Sequence, residues 1–499
     1  MKKNETNPEQ INSRAFLKTV AKVAAPIAAQ GLIASSLNLI DNLMVGNLGE
    51  LPLNAVGVSV QVFMVFWMLN FGFVSGAATY ISQFYGVRDY KNIRRTVGFT
   101  LTVVFCFGVI FFLVATIFPR AILHIFTDFP EVIDAGAVYV RTGAPCFLLV
   151  PIIQCFTVAL RATQQTHLPL IASVTALCSN TILNYILIYG KLGVPALGIQ
   201  GAALATVLAR CIEACILLYI IFVRKNIISG RLSEFFSYSK DLARRVVKNS
   251  IPTTINEVAW SLGTAMYIAA FARISITAGA AVQACNTVNG LFVLAAFSIG
   301  DAILILVGQK LGEGETELAY AMAKKLEILA CIVGVLMGIL MLIFSRPILG
   351  LFDFTEEGLK SAWYIMVVYG TTLGMDVYSG TLIAGTLRCG GDTRFPMFTE
   401  LATIWCIGVP AAFVTALVFH WPVYFAVLAT KTEQVVKCII LTKRFFSKKW
   451  VKNVIHDVKI FLFSKPKDLH PLLGRFIVVY LIRKQLLSPH ACKAAGGEL

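Results

Sequence analysis

Charge is scarce in this 499-residue sequence: Asp, Glu, Lys and Arg together make up 14% of it, against about a quarter in an ordinary soluble domain. Apolar residues reach 57% and the mean hydropathy is +0.75. No single core hides such a surplus, so the chain is expected to meet lipid. The twelve cysteines include no CxxC pair. Cys106, Cys155, Cys178 and Cys406 sit inside apolar runs, as small buried hydrophobes do, which argues against a disulfide framework or a zinc site. No GxxxxGK[ST] phosphate loop is present, so ATP hydrolysis within this chain is not expected. HExxH and GxSxG are missing too, and the six histidines fall mostly near loops or the tail, so nothing points to an enzyme. An active pump built this way would draw on an ion gradient and need no other cofactor.

What is present is a succession of apolar segments, at roughly 24–45, 55–80, 98–118, 136–159, 169–189, 201–223, 250–271, 281–307, 326–345, 361–386, 396–419 and 422–442. Each is close to the ~20 residues that cross ~30 Å of hydrocarbon as a helix, and backbone groups in lipid must be satisfied internally. The pattern predicts an all-α polytopic membrane protein of twelve spans. The formal net charge of +16 does not imply a nucleic-acid partner, because the basic residues lie between the apolar runs. Residues 88–95 (RDYKNIRR), 224–248 and 443–452 are strongly basic, whereas 46–54 and 420–421 have no Lys or Arg. The positive-inside rule then puts both termini and 224–248 in the cytoplasm of a cell (inner or plasma) membrane. The amino end carries no apolar stretch followed by a small-residue cleavage site, and reads as a cytoplasmic tail.

The chain also contains itself twice. Residues Ile117 to Leu123, with Phe126, recur as Ile343 to Leu349 with Phe352, at an offset of 226. Leu160-Arg161, Thr166 and Pro169 recur as Leu387-Arg388, Thr393 and Pro396, at 227; Pro26, Gln83 and Gly86 match Pro252, Gln309 and Gly312. The organisation that follows is a tail over 1–20, an amino-terminal six-helix lobe over 21–223, a linker over 224–248, a carboxyl-terminal six-helix lobe over 249–445, and a basic cytoplasmic tail over 446–499. Six helices per lobe make the halves parallel repeats about an axis along the membrane normal, a plan suited to alternating access.

A carboxylate in the hydrocarbon region costs at least about 2.5–3.5 kcal/mol on insertion scales, which marks each one as a candidate functional site. Asp41 lies in the first segment. Asn180 and Asn184, four apart in the fifth, share a face and offer amide oxygens; Thr206 and Tyr139 complete an oxygen-rich pocket. Glu257 and Asp376, in the seventh and tenth segments, have no opposite charge within a turn of their own helices. Arg210 with Glu213 and Glu433 with Lys437 are spaced to neutralise themselves. Gln283, Asn286 and Asn289 form a polar stripe on the eighth segment, either lining a cavity or bonding between helices. Met266, Tyr267 and Trp260 are further candidates for the substrate cavity, as are Met64, Phe66 and Trp67. Pro26 is a candidate hinge, or a tolerated membrane-helix proline.

The stretches Asp41-Asn-Leu-Met-Val-Gly46 with Leu48-Gly49, Gln83-Phe-Tyr-Gly86, Gly201-Ala-Ala-Leu-Ala-Thr206 and Leu387-Arg388-Cys-Gly-Gly391-Asp392-Thr393 resemble the multidrug and toxic compound extrusion (MATE) family. The likeness covers about residues 15–450. It implies a monomeric secondary antiporter that exports amphipathic, mostly cationic small molecules in exchange for Na⁺ or H⁺. It also implies that Asp41, with Asn180, Asn184, Thr206 and Tyr139, binds the coupling ion in the amino lobe, and that Glu257 and Asp376 are the acidic pair of a sodium-coupled branch. Asn184 stands where some members carry a carboxylate, so the coupling lobe stays open. A flippase for lipid-linked oligosaccharides shares the two-lobe plan; it would favour cavity arginines, and within the predicted helices only Arg141 and Arg210 appear.

Overall fold

The computed structural model describes residues 13–350 and 355–456. The ends of both predicted tails and the repeat position Phe352 lie outside them. Among the described residues there is no strand. The amino half holds α1 (Ser13–Gly46), α2 (Glu50–Gly86), α3 (Tyr90–Ile117), α4 (Pro119–Leu123), α5 (Pro130–Gly143), α6 (Cys146–Ala162), α7 (His167–Tyr189) and α8 (Gly198–Leu218). After α9 (Leu232–Phe236) come α10 (Lys240–Ala272), α11 (Ile276–Glu313), α12 (Thr316–Leu349), α13 (Glu356–Thr381), α14 (Arg394–Thr403), α15 (Val409–Phe413) and α16 (Val423–Phe446).

Eight of these segments are long and apolar enough to cross a membrane, and the pair α5–α6, bent by 51°, makes a ninth span. The bend falls at Ala144-Pro145, where proline has no N–H to continue the helix, within the stretch that the apolar pattern marks as the single segment 136–159. The other three spans of the twelve are α10, α13 and α16, of 33, 26 and 24 residues. They are long enough to cross but carry several charged side chains each.

Helices run beyond their apolar stretches because capped polar turns extend them. Asp89 accepts from the Asn92 N–H at 3.1 Å, Ser239 from Leu242 at 3.2 Å, and Ser275 from Ala278 at 3.0 Å. One result is that α10 already begins at Lys240, so the 224–248 linker is shorter than expected. It is also partly anchored: Phe235 of α9 is buried among Phe156 and Phe222.

The lobes meet mainly through α2 against α10 and α11, and α1 against α11, and the contacts obey the internal repeat. Gln83 Nε2 donates to the carbonyl of Cys389 at 2.9 Å, and Gln309 Nε2 to that of Ala162 at 3.0 Å, each across to the other lobe. A Cβ on Gly86 would lie 2.1 Å from the Gln309 carbonyl oxygen, and one on Gly312 would lie 2.0 Å from that of Gln83. Arg161 reaches Gln30 of its own lobe at 2.6 Å and Asp301 of the other at 3.2 Å. Arg388 reaches Glu257 of its own lobe at 2.9 Å and Ser75 of the other at 2.5 Å. Gln30 and Ser75 are the repeat counterparts of Glu257 and Asp301, so the seam is a two-fold clasp. It lies at the end of the molecule that carries the basic loop 88–95.

Gly86→Ala and Gly312→Ala are each expected to open this seam, since backbone carbonyls cannot yield as a side chain does; overpacking costs about 1–3 kcal/mol. Spin-label distances across the basic end should lengthen in both variants and by similar amounts.

Candidate ion-coupling site

Asp41 on α1 is brought to α7 and α8. Asn184 Nδ2 donates to Asp41 Oδ1 at 2.5 Å and to Asn180 Oδ1 at 3.0 Å. Asn180 Nδ2 in turn donates to Thr206 Oγ1 at 3.5 Å. The i, i+4 spacing puts both asparagine side chains on one face, and both residues are fully buried. The Asn184 amide has used its donors, and its Oδ1 is buried without a hydrogen-bond partner, so an acceptor is left free next to a carboxylate. Tyr139 packs against Val45, Ile188 and Ala202, each one helical turn from Asp41, Asn184 or Thr206, with its ring edge-on to Phe63. It therefore walls the pocket through its ring.

Beside Asn180 and Thr206 lies a cavity of about 40 Å³, also lined by Ser173, Arg210 and Glu213. Arg210 is held by Glu213 at 2.6 Å, as the i, i+3 spacing suggests. Ser173 donates to Glu213 at 2.9 Å and accepts from Gln30 at 2.8 Å. Through Gln30 this chain reaches Arg161 and Asp301, so a continuous polar path joins the pocket to the lobe seam. Sequence reasoning missed Gln30, Ser173 and Asp301, and noted Arg161 only as a repeat position. Arg161 and Arg388 also correct the reading that only Arg141 and Arg210 lie within helices: Arg161 is in α6, and Arg388 follows a π-helical stretch, Leu382–Leu387, with 2% exposure. Both arginines are ion-paired at the seam.

The carboxyl-lobe acids are placed differently. Glu257 is paired with Arg388 at 2.9 Å, and Asp376 with Lys431 at 2.7 Å; the Lys431 ammonium also lies over the Tyr369 ring. The absence of a partner on their own helices holds, but cations from other helices supply one. Each carboxylate is thus neutralised separately.

Glu433 and Lys437 pair as expected, at 3.1 Å, and Lys437 also holds Glu400 at 2.9 Å while the Tyr267 hydroxyl donates to Glu433 at 2.9 Å. At the repeat offsets these residues stand where Asp41, Thr206, Arg210 and Ser173 stand in the amino lobe. The same helices thus build a carboxylate with no direct ion pair, beside an Arg210–Glu213 bridge, in one lobe and a network centred on Lys437 in the other. Tyr267 belongs to that network. Of the polar stripe, Asn286 accepts from the Tyr369 hydroxyl at 2.8 Å, Asn289 Oδ1 is buried without a partner, and Gln283 is exposed. Met266 is half-buried and Trp260 is exposed, as are Met64 and Trp67, whereas Phe66 is core. Pro26 lies inside an unbroken α1.

Two parallel six-helix lobes meeting along one seam, with a polar pocket deep in one of them, define a polytopic α-helical membrane transporter. The MatE family model matches residues 26–186 and 252–414, one stretch in each lobe. This chain belongs to the MatE family. It is 26% identical over 445 residues to the probable multidrug resistance protein NorM of Thermotoga maritima, covering 88% of this chain and 94% of that one. It is 27% identical over 404 residues to the probable multidrug resistance protein YoeA of Bacillus subtilis, covering 80% and 86%. Among solved structures, a MATE transporter crystallised in complex with MaL6 superposes with a TM-score of 0.78 at 17% identity, covering 87% of this chain and 97% of that one.

Proposed function

We propose that this chain is a secondary multidrug antiporter that exports amphipathic, mostly cationic small molecules and is driven by H⁺ or Na⁺ bound at Asp41. The relatives that match nearly end to end carry multidrug-resistance names. The observation that carries the coupling assignment is charge balance: Asp41 has the Asn184 amide as a partner but no ion pair among the described residues, while Glu257 and Asp376 each have one. A buried carboxylate without a cation attracts one, and the free Asn184 Oδ1 adds a second oxygen. With the basic end cytoplasmic, ion binding at Asp41 from outside would loosen the polar path to Arg161 and let the lobes change face as a monomer. The two arginines at the seam are already paired, which argues against a lipid-linked oligosaccharide flippase.

The test is gradient-driven transport of a fluorescent cation in inverted vesicles, with Na⁺ replaced by choline. Transport that persists in choline and collapses with the pH gradient identifies H⁺; the reverse identifies Na⁺. Transport indifferent to both gradients rules out the antiport reading.

A further inference from the structure

Glu327 on α12 is a carboxylate that no part of this mechanism uses. It is 3% exposed, and no Lys, Arg or His among the described residues forms an ion pair with it. Its two oxygens are held by hydroxyls instead: Thr381 Oγ1 lies 2.7 Å from Oε2 and Thr386 Oγ1 lies 2.5 Å from Oε1. Thr381 directly precedes the π-helical stretch Leu382–Leu387 and Thr386 lies within it, the kind of irregular turn that recurs at functional sites.

Burial without a cation determines the form of the group. The Thr381 hydroxyl has two acceptors near it, Glu327 Oε2 and the carbonyl of Tyr378 at 3.0 Å, and that carbonyl also accepts from the Leu382 N–H. If Glu327 is a neutral acid, Oε2–H donates to Thr381, Thr381 donates to Tyr378, and Thr386 donates to Oε1, so every polar atom is served. If it is an anion, both hydroxyls can still donate to it, but a full charge stays buried without a cation, which costs several kcal/mol. Oxygens at hydrogen-bond contact leave no room between them for a metal ion. The other titratable groups facing the carboxyl are the Tyr378 phenol, which is bonded to Thr442, and the Cys389 thiol; Cys331 lies one helical turn along α12. None is cationic. Nor does the fold require a carboxylate here, since the repeat counterpart of Glu327 in the amino lobe is Leu101.

We propose that Glu327 is a second proton site, in the carboxyl lobe, which carries its proton as a neutral acid between Thr381 and Thr386 and releases it to water only when that turn rearranges. Thr386 is two residues from Arg388, whose guanidinium crosses the seam to Ser75. Loss of the proton therefore acts on the clasp between the lobes. This coupling rests on the antiport reading above; the protonation itself does not.

Infrared difference spectra of the purified full chain in lipid nanodiscs, between low and high pH, test the site directly. The expected result is a carboxylic-acid C=O band that E327Q lacks, that E327D and D41N keep, and that T386V shifts by removing one hydrogen bond. If E327Q retains every acid band of the parent, the site is not protonated and the proposal fails, whether or not the protein transports anything. In vesicles, the pH dependence of substrate affinity should shrink in E327Q by about 5-fold or more, the lower end of ordinary coupling between sites, while E327D preserves it. An unchanged pH dependence in E327Q would overturn the link to the clasp.

Discussion

Asp41→Asn is expected to abolish ion-driven export and leave a folded protein that still binds its substrate. The substitution removes one charge and almost no volume. The new amide oxygen still accepts from Asn184 Nδ2, the contact at 2.5 Å that positions the side chain, so α1, α7 and α8 have no packing reason to move. What is lost is the charge that attracts an ion. Coupling between two ligands is worth about 1–3 kcal/mol, or about 5–150-fold in affinity, and it is reciprocal. Substrate affinity measured with and without the ion should therefore differ by about that factor in the parent protein and coincide in the variant. Accumulation against a gradient should fall to the level seen with the gradient collapsed. Asn184→Ala is the companion case: it removes the donor and the free oxygen together, so weaker ion affinity is expected with the carboxylate still present. If D41N transports at the parent rate, the amino lobe is not where coupling occurs, and Glu257 and Asp376 regain the role despite their ion pairs.

The sequence made the architecture legible for a simple reason. Lipid demands some twenty apolar residues per span, and the repeat doubled the signal, so Ile117–Leu123 and its copy at 343–349 located both lobes. The amino-lobe pocket was legible as well, because Asn180 and Asn184 share a helical face and Asp41 interrupts an apolar run. The partners of the carboxyl-lobe acids were not. Arg388 is 131 positions from Glu257 and Lys431 is 55 from Asp376, and no test of i, i+3 or i, i+4 spacing looks that far. Glu327 was invisible for a different reason: Lys324 and Lys325 precede it, so it reads as part of a wet helix end, whereas α12 begins at Thr316 and has already carried it about 16 Å inward. Arg161 and Arg388 were noticed as a repeat but not as chemistry, because the acids and hydroxyls that make them a clasp belong to other helices.

Arg388→Met should be the most destabilising single change at the seam. The guanidinium has 2% exposure and reaches Glu257 and Ser75 at once, and its own carbonyl accepts from Thr79 across the seam at 2.8 Å. Methionine fills much of the volume but leaves the Glu257 carboxylate, 15% exposed, without a cation. Removing one partner of a buried pair costs about 3–5 kcal/mol, much of it the penalty of the stranded charge. The repeat supplies an internal control. Arg161→Met breaks the matching contact, but its partner Asp301 is 42% exposed and water can take over, so the loss should be nearer the about 0–1 kcal/mol of exposed pairs. Arg388→Met combined with Glu257→Gln should recover much of the loss, because the stranded charge is then gone; Arg388→Lys should recover less, since an ammonium cannot reach both partners as a planar fork does. Denaturant unfolding of the four variants in nanodiscs measures these differences. Equal losses for Arg388→Met and Arg161→Met would mean that the clasp is symmetric in energy as well as in form, and that burial of Glu257 is not what makes Arg388 indispensable.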